Sequence, residues 1–145
     1  MTQTPGGPYI LYAEDDRDDQ EMLREELRDV DPTVNLVLMN DGLALIQFLS
    51  GLQRHEPLPF LILLDINMPI WDGIRTLEAL KEDQHWASIP VVMFTTSSQQ
   101  KDVELSLRLG ADSLVTKPVS KKDLTHIVQT FCNYRPSERG ENETP

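Results

Sequence analysis

Five short runs of apolar or β-prone residues divide the chain, separated by stretches where apolar residues recur every three to four positions. The runs are Tyr9-Ile10-Leu11-Tyr12-Ala13, Val34 to Met39, Phe60 to Leu64, Ile89 to Phe94 and Ser113-Leu114-Val115-Thr116. Each is the length of a strand, and the unbroken run Phe60-Leu61-Ile62-Leu63-Leu64, bounded by Pro59 and Pro69, reads as a strand buried on both faces. The intervening stretches carry helical stripes. They are Met22, Leu23, Leu27 and Val30; Leu45, Ile46, Phe48 and Leu49; Ile74, Leu77 and Leu80; Val103, Leu105, Leu107 and Leu109; and Leu124, Ile127, Val128 and Phe131. Punctuation agrees with this division. Asp18 or Asp19 can cap the first helix and Asp31-Pro32 stops it, Asn40-Asp41-Gly42 turns the chain, and Gly110 ends the fourth helix. The order βαβαβαβαβα predicts an α/β fold: one parallel sheet, helices on both faces, right-handed crossovers.

Composition adds bounds. The 145 residues suit one domain, expected over 9–134, with a flexible Pro/Gly-rich lead at 1–8 and a polar, disordered tail at 135–145. Lys and Arg number 13 against 24 Asp and Glu, a net charge of −11 that opposes binding to nucleic acid or an anionic membrane. No apolar stretch approaches the ~20 residues of a membrane span. The start of the chain lacks the basic and apolar regions of a signal peptide. A single cysteine, Cys132, fits a reducing compartment, so a cytoplasmic location is expected.

Candidate chemistry gathers at the strand ends. The first strand ends at Glu14-Asp15, the third at Asp65, the fourth at Thr95 and the fifth at Lys117. In a parallel sheet these ends share one edge, the edge where open α/β sheets bind ligands. Three crowded acids raise the pKa of at least one of them unless a cation intervenes. Mg²⁺ suits such a site, since it takes oxygen ligands and keeps positions for water or phosphate. A carboxylate beside it is a competent nucleophile toward phosphorus, with Lys117 and Thr95 placed to neutralise and hydrogen-bond the transferred group.

These residues, together with Asp65-Ile66-Asn67-Met68-Pro69, Asp72-Gly73, Thr95-Thr96 and Lys117-Pro118, resemble the receiver domain of two-component response regulators, most of all its stand-alone members. The resemblance covers roughly 9–133. It implies a flavodoxin-like five-stranded sheet of order 2-1-3-4-5. It also implies a phosphoryl-accepting switch that catalyses its own Mg²⁺-dependent phosphorylation and slow dephosphorylation and is otherwise not an enzyme. Asp65 is then the phosphoacceptor, and Asp15, Asp65 and the main-chain carbonyl of Asn67 hold the ion. Glu14 acts through a metal-bound water, Thr95 hydrogen-bonds the phosphoryl group, and Lys117 pairs with it. The Lys117-Pro118 bond is expected to be cis, and the side chains of Asn67 and Ser97 to flank the path of a hydrolytic water. The implied partners are a sensor histidine kinase or a histidine phosphotransfer protein, with output through protein contacts. Dimerisation is possible on the face of helix four, strand five and helix five. Leu114 stands where the family often carries Tyr or Phe, which removes the inward-swinging aromatic ring as a means of propagating the signal.

Three other functions fit less well. An aspartyl phosphatase of the haloacid-dehalogenase kind needs a second aspartate where Asn67 stands, and a nucleophile after the first strand. A flavin-binding module needs a hydroxyl- and glycine-rich first loop, whereas Glu14-Asp15-Asp16-Arg17-Asp18-Asp19 repels phosphate. An inert scaffold has no need of the intact constellation. Asp16, Asp18 and Asp19 read as solvated acids at a helix start. His55, His85 and His126 share no ligand spacing. Met22, Met39 and Met93 read as core, and Trp71 as a residue bordering the site.

Overall fold

The computed structural model describes residues 4–97 and 99–136. It contains β1 (Tyr9–Ala13), α1 (Arg17–Val30), β2 (Asn35–Met39), α2 (Gly42–Ser50), β3 (Leu61–Leu64), α3 (Gly73–Glu82), β4 (Val91–Thr95), α4 (Gln100–Arg108), β5 (Ser113–Thr116) and α5 (Lys121–Cys132). The strands form one sheet in the order β2-β1-β3-β4-β5, every pair parallel. Elements begin or end within a residue or two of the sequence pattern. The proline-bounded run around Ile62 is the central strand, with all four of its residues buried.

Strand alternation sorts the core into two layers. Tyr9, Leu11, Ile62, Leu64, Val91 and Met93 face α2 and α3, meeting Leu45, Leu49, Leu77 and Leu80, with Leu109 packed alongside. Ile10, Tyr12, Leu61, Leu63, Val92 and Phe94 face α1 and α5, meeting Leu23, Leu27, Leu124, Val128 and Phe131. Edge-to-face contact of Phe94 with Phe131, with centroids 5.3 Å apart, anchors α5 to β4.

Several expectations are corrected. The cap of α1 is Asp16, whose carboxylate accepts a hydrogen bond from Asp19 N at 3.0 Å, so Asp18 and Asp19 lie inside the helix. Met22 is 39% exposed, because α1 turns Leu23 and Leu27 to the sheet while Met22 and Glu26 lie toward α5. Leu107 is likewise exposed, on the outer side of α4. Among the described residues no peptide bond is cis, so Lys117-Pro118 is trans, the ordinary isomer even before proline. Gly110 ends α4 with a φ of 109°, as a glycine stop requires. At the C-terminal side Arg135, beyond the expected domain edge at 134, donates to Thr33 Oγ1 at 2.8 Å and to Asp31 at 3.4 Å. The lead at 1–3 and the tail at 137–145 lie outside the described residues.

Candidate functional site

The carboxyl edge is built by the ladders that end there. Asp65 N donates to Ala13 O (3.2 Å) and Glu14 N to Met39 O (2.9 Å), so the residues after β1 and β3 are held on neighbouring ladders. Lys117 N donates to Thr95 O at 2.8 Å, which ties the end of β5 to β4. The loop from Ile66 to Asp72 is closed at its base. Gly73 N donates to Ile66 O at 2.8 Å, and a Cβ at Gly73 would lie 2.2 Å from Asp65 O. Only glycine allows that approach, so the Asp72-Gly73 pair caps α3 and fixes the backbone of Asp65 together.

The side chains converge as the strand ends require. Carboxylate oxygens of Glu14, Asp15 and Asp65 come within 4.8 Å of one another. Lys117 Nζ bonds Glu14 Oε1, Asp19 Oδ2 at 2.7 Å and Asp65 Oδ2 at 3.2 Å. Asp65 Oδ1 accepts from Ile66 N at 2.7 Å, which sets the carboxylate plane. Glu14 is buried and also accepts from Tyr12 Oη (3.1 Å) and Asp16 N (2.9 Å). Asp15 is exposed. The cleft, of about 590 Å³, is lined by these residues together with Asp16, Arg17, Asp18 and Thr96.

Two further expected site residues lie at the margin of this cluster. Asn67 lies exposed in the loop beyond Asp65. Thr95 is fully buried, and Thr96 rather than Thr95 lines the cleft; Thr95 Oγ1 accepts from Ser97 N at 3.2 Å. Ser97 Oγ in turn donates to Asp102 Oδ2 at 2.7 Å, linking the β4–α4 loop to α4. Asp19 is the site residue that sequence reasoning missed. With Asp16 as cap it falls at the third position of α1, one turn above the strand ends, and the position of that cap is the signal that would have found it.

Electrostatics follow burial. Burial pushes the Glu14 carboxyl above its ordinary value, against the hydrogen bonds from Lys117 and Asp16 N. Burial also pulls on the Lys117 ammonium, lowering it, but hydrogen bonds to Asp19 and Glu14 and the charge of Asp65 more than offset this and leave it above the ordinary lysine value. Tyr12 is pushed far up by burial and by Glu14, and stays a neutral donor. Glu14, Asp19 and Asp65 share one ammonium, and Glu14, Asp15 and Asp65 offer their oxygens over a span a single ion could bridge. An all-oxygen, net-negative cluster fits a hard divalent cation.

The model of the response regulator receiver domain matches residues 10–129 of this sequence. The chain belongs to that family. It is 38% identical over 122 residues to the response regulator Rcp1 of Synechocystis, a stretch covering 83% of each chain. Among solved structures it is similar to the Mn²⁺-bound form of Rcp1 (35% identity, TM-score 0.76, 87% of this chain and 92% of that one). It is also similar to the phosphorylated cyanobacterial phytochrome response regulator RcpA (28% identity, TM-score 0.79, 89% and 94%). The receiver is thus a two-component signalling switch that accepts phosphate from histidine kinases, on a doubly wound sheet, with an acidic cluster suited to a divalent ion. Among the described residues no helix is long and apolar enough to cross a membrane.

Proposed function

We propose that the receiver is phosphorylated on Asp65 by a partner phosphohistidine, with Mg²⁺ as the resident ion. The observation that carries the reading is the meeting of Asp65 with Glu14, Asp15 and Lys117 in one cleft, from three separate strand ends. Asp15 and Asp65 would hold the ion through their carboxylates and Asn67 through its main-chain carbonyl, with Glu14 acting through a water. When bound, Mg²⁺ offsets the charge of the phosphoryl oxygens and helps align them.

The chain's own residues do the rest. Ile66 N and Lys117 hold the Asp65 carboxylate in one orientation, so the attacking group is placed before the donor arrives. A carboxylate oxygen of Asp65 forms the new bond to phosphorus as the phosphorus–nitrogen bond to the donor imidazole breaks. Lys117 then shifts its hydrogen bonds toward the phosphoryl oxygens. Thr95 Oγ1 already accepts from Ser97 N, which leaves its O–H proton to donate to the phosphoryl group and couples that event to the Ser97–Asp102 link. Leu114 packs into the α2–α3 side of the core, so the signal runs through this loop rather than an aromatic rotamer. Output is through protein contacts, by population shift between two surface states. Dimerisation on the α4–β5–α5 face is one form of it. The likeness to RcpA suggests a phytochrome-type kinase as donor.

The test is incubation with acetyl phosphate and Mg²⁺. The expected result is a mass gain of one phosphoryl group, lost with EDTA and in Asp65→Asn. Labelling that persists in Asp65→Asn contradicts the assignment.

A further inference from the structure

Lys117 is shared unevenly. Its contact with Asp65 (3.2 Å) is longer than those with Asp19 (2.7 Å) and with Glu14, which is the shortest of the three. Glu14 and Asp65 are also oxygens offered to a divalent ion, and Asp19 is not part of that set. With Glu14 and Asp65 engaged by an ion, Asp19 would be the carboxylate left to the ammonium. The two ends of the pair differ in surroundings: the Lys117 side chain is 6% exposed and that of Asp19 26%. The lysine therefore needs a protein or ligand anion at all times, while Asp19 can let go and be hydrated. The hydrogen bond from Asp19 N to the Asp16 cap sets where the Asp19 side chain starts, so its reach to Lys117 is built into the first turn of α1.

We propose that Asp19 is a positioning residue that holds the Lys117 ammonium when Asp65 is unmodified and competes with the phosphoryl group for it. This rests on the reading of Asp65 as phosphoacceptor. Release of Asp19 to water as Lys117 passes to the phosphoryl oxygens is then part of the switch, and the strength of the Asp19 pair sets how far the equilibrium favours the unmodified state.

The experiment measures beryllofluoride binding at saturating Mg²⁺ by fluorine NMR, on wild type and on Asp19→Asn, Asp19→Ser, Asp19→Glu, Asp18→Asn and Asp65→Asn. Urea unfolding confirms that each variant is folded. Removing the competing carboxylate in Asp19→Asn and Asp19→Ser is expected to tighten binding roughly fivefold, the scale of one partly screened charge at contact. Asp19→Glu restores the carboxylate and is expected to stay within about twofold of wild type. Asp18 lines the same cleft but is exposed and is not a partner of Lys117. Its neutralisation is expected to change binding by less than about twofold, since screening weakens an exposed charge. Unchanged or weaker binding in the two Asp19 variants overturns the proposal, and so does an equal gain in Asp18→Asn, which would mark a general charge effect. Binding retained by Asp65→Asn overturns the phosphoacceptor reading itself, whatever the Asp19 variants do.

Discussion

Ile70 holds a φ of 69°, a left-handed conformation that costs a β-branched residue about 1–2 kcal/mol. The residue is 68% exposed, so burial does not offset the cost. Ile70→Gly is expected to raise the unfolding free energy by about 0.5–1 kcal/mol, the relief being partly cancelled by the entropy of glycine in the unfolded chain. A urea titration with a midpoint unchanged or lower would contradict this. Gly73 makes the opposite case. A methyl group there meets Asp65 O at 2.2 Å, and a backbone atom cannot yield cheaply. Gly73→Ala is expected to cost about 2 kcal/mol or more and to slow phosphorylation by displacing Asp65. A variant of wild-type stability and wild-type labelling rate would show that the loop absorbs the methyl. At this scale Glu14, Asp15, Asp65 and Lys117 were legible in the sequence, because each closes a run of strand residues and parallel strands end together. Asp19 was not, since its role depends on which aspartate caps α1, and Asp16, Asp18 and Asp19 are chemically interchangeable on paper.

Helix α1 is joined to α5 by a buried acid. Glu26, beside the apolar stripe of α1, is 3% exposed, and it accepts hydrogen bonds from Lys121 Nζ (2.7 Å) and from Thr125 Oγ1. Hydrogen bonds from Lys121 and Thr125 hold its carboxyl below the usual value, against the effect of burial. A carboxyl lowered on folding stabilises the protein above the unfolded value of 4.5, and that contribution is lost as pH falls through the folded value. Glu26→Gln is therefore expected to cost about 1 kcal/mol at neutral pH, discounted for the exposure of Lys121. The gap from wild type should close as pH falls below 4.5. A gap that widens under acid, followed by urea midpoint at several pH values, would reverse the sign of this account. The helices themselves were readable from the apolar spacing, since Leu23, Leu27, Leu124 and Val128 fall on core-facing stripes as expected. The stripe pattern misplaced Met22 and could not show Glu26 as buried, because helix-to-helix pairing decides what lies beside the stripe. The isomer of Lys117-Pro118 was equally out of reach, since proline leaves the two forms close in energy and the surrounding loop chooses.

For the molecule as a whole, the fold exists to bring distant acids together, and the cluster pays in self-repulsion for its readiness to bind a cation. Millimolar Mg²⁺ is expected to raise the melting temperature by a few degrees, because the ion binds the folded cleft alone. Asp15→Ala should abolish most of that rise, and an undiminished rise would remove Asp15 from the ligand set. The alternation of strands and helices made the parallel sheet predictable, and with it the edge that carries the cleft, whereas the strand order came from the resemblance to receiver domains. Locating the phosphoryl group on the chain tests the role of Asp65 itself. Protein labelled with acetyl phosphate is reduced with borohydride, which converts an aspartyl phosphate to homoserine, and its peptides are sequenced by mass spectrometry. Homoserine is expected at position 65 alone; homoserine at position 15, 16 or 19 with Asp65 intact would contradict the assignment of Asp65.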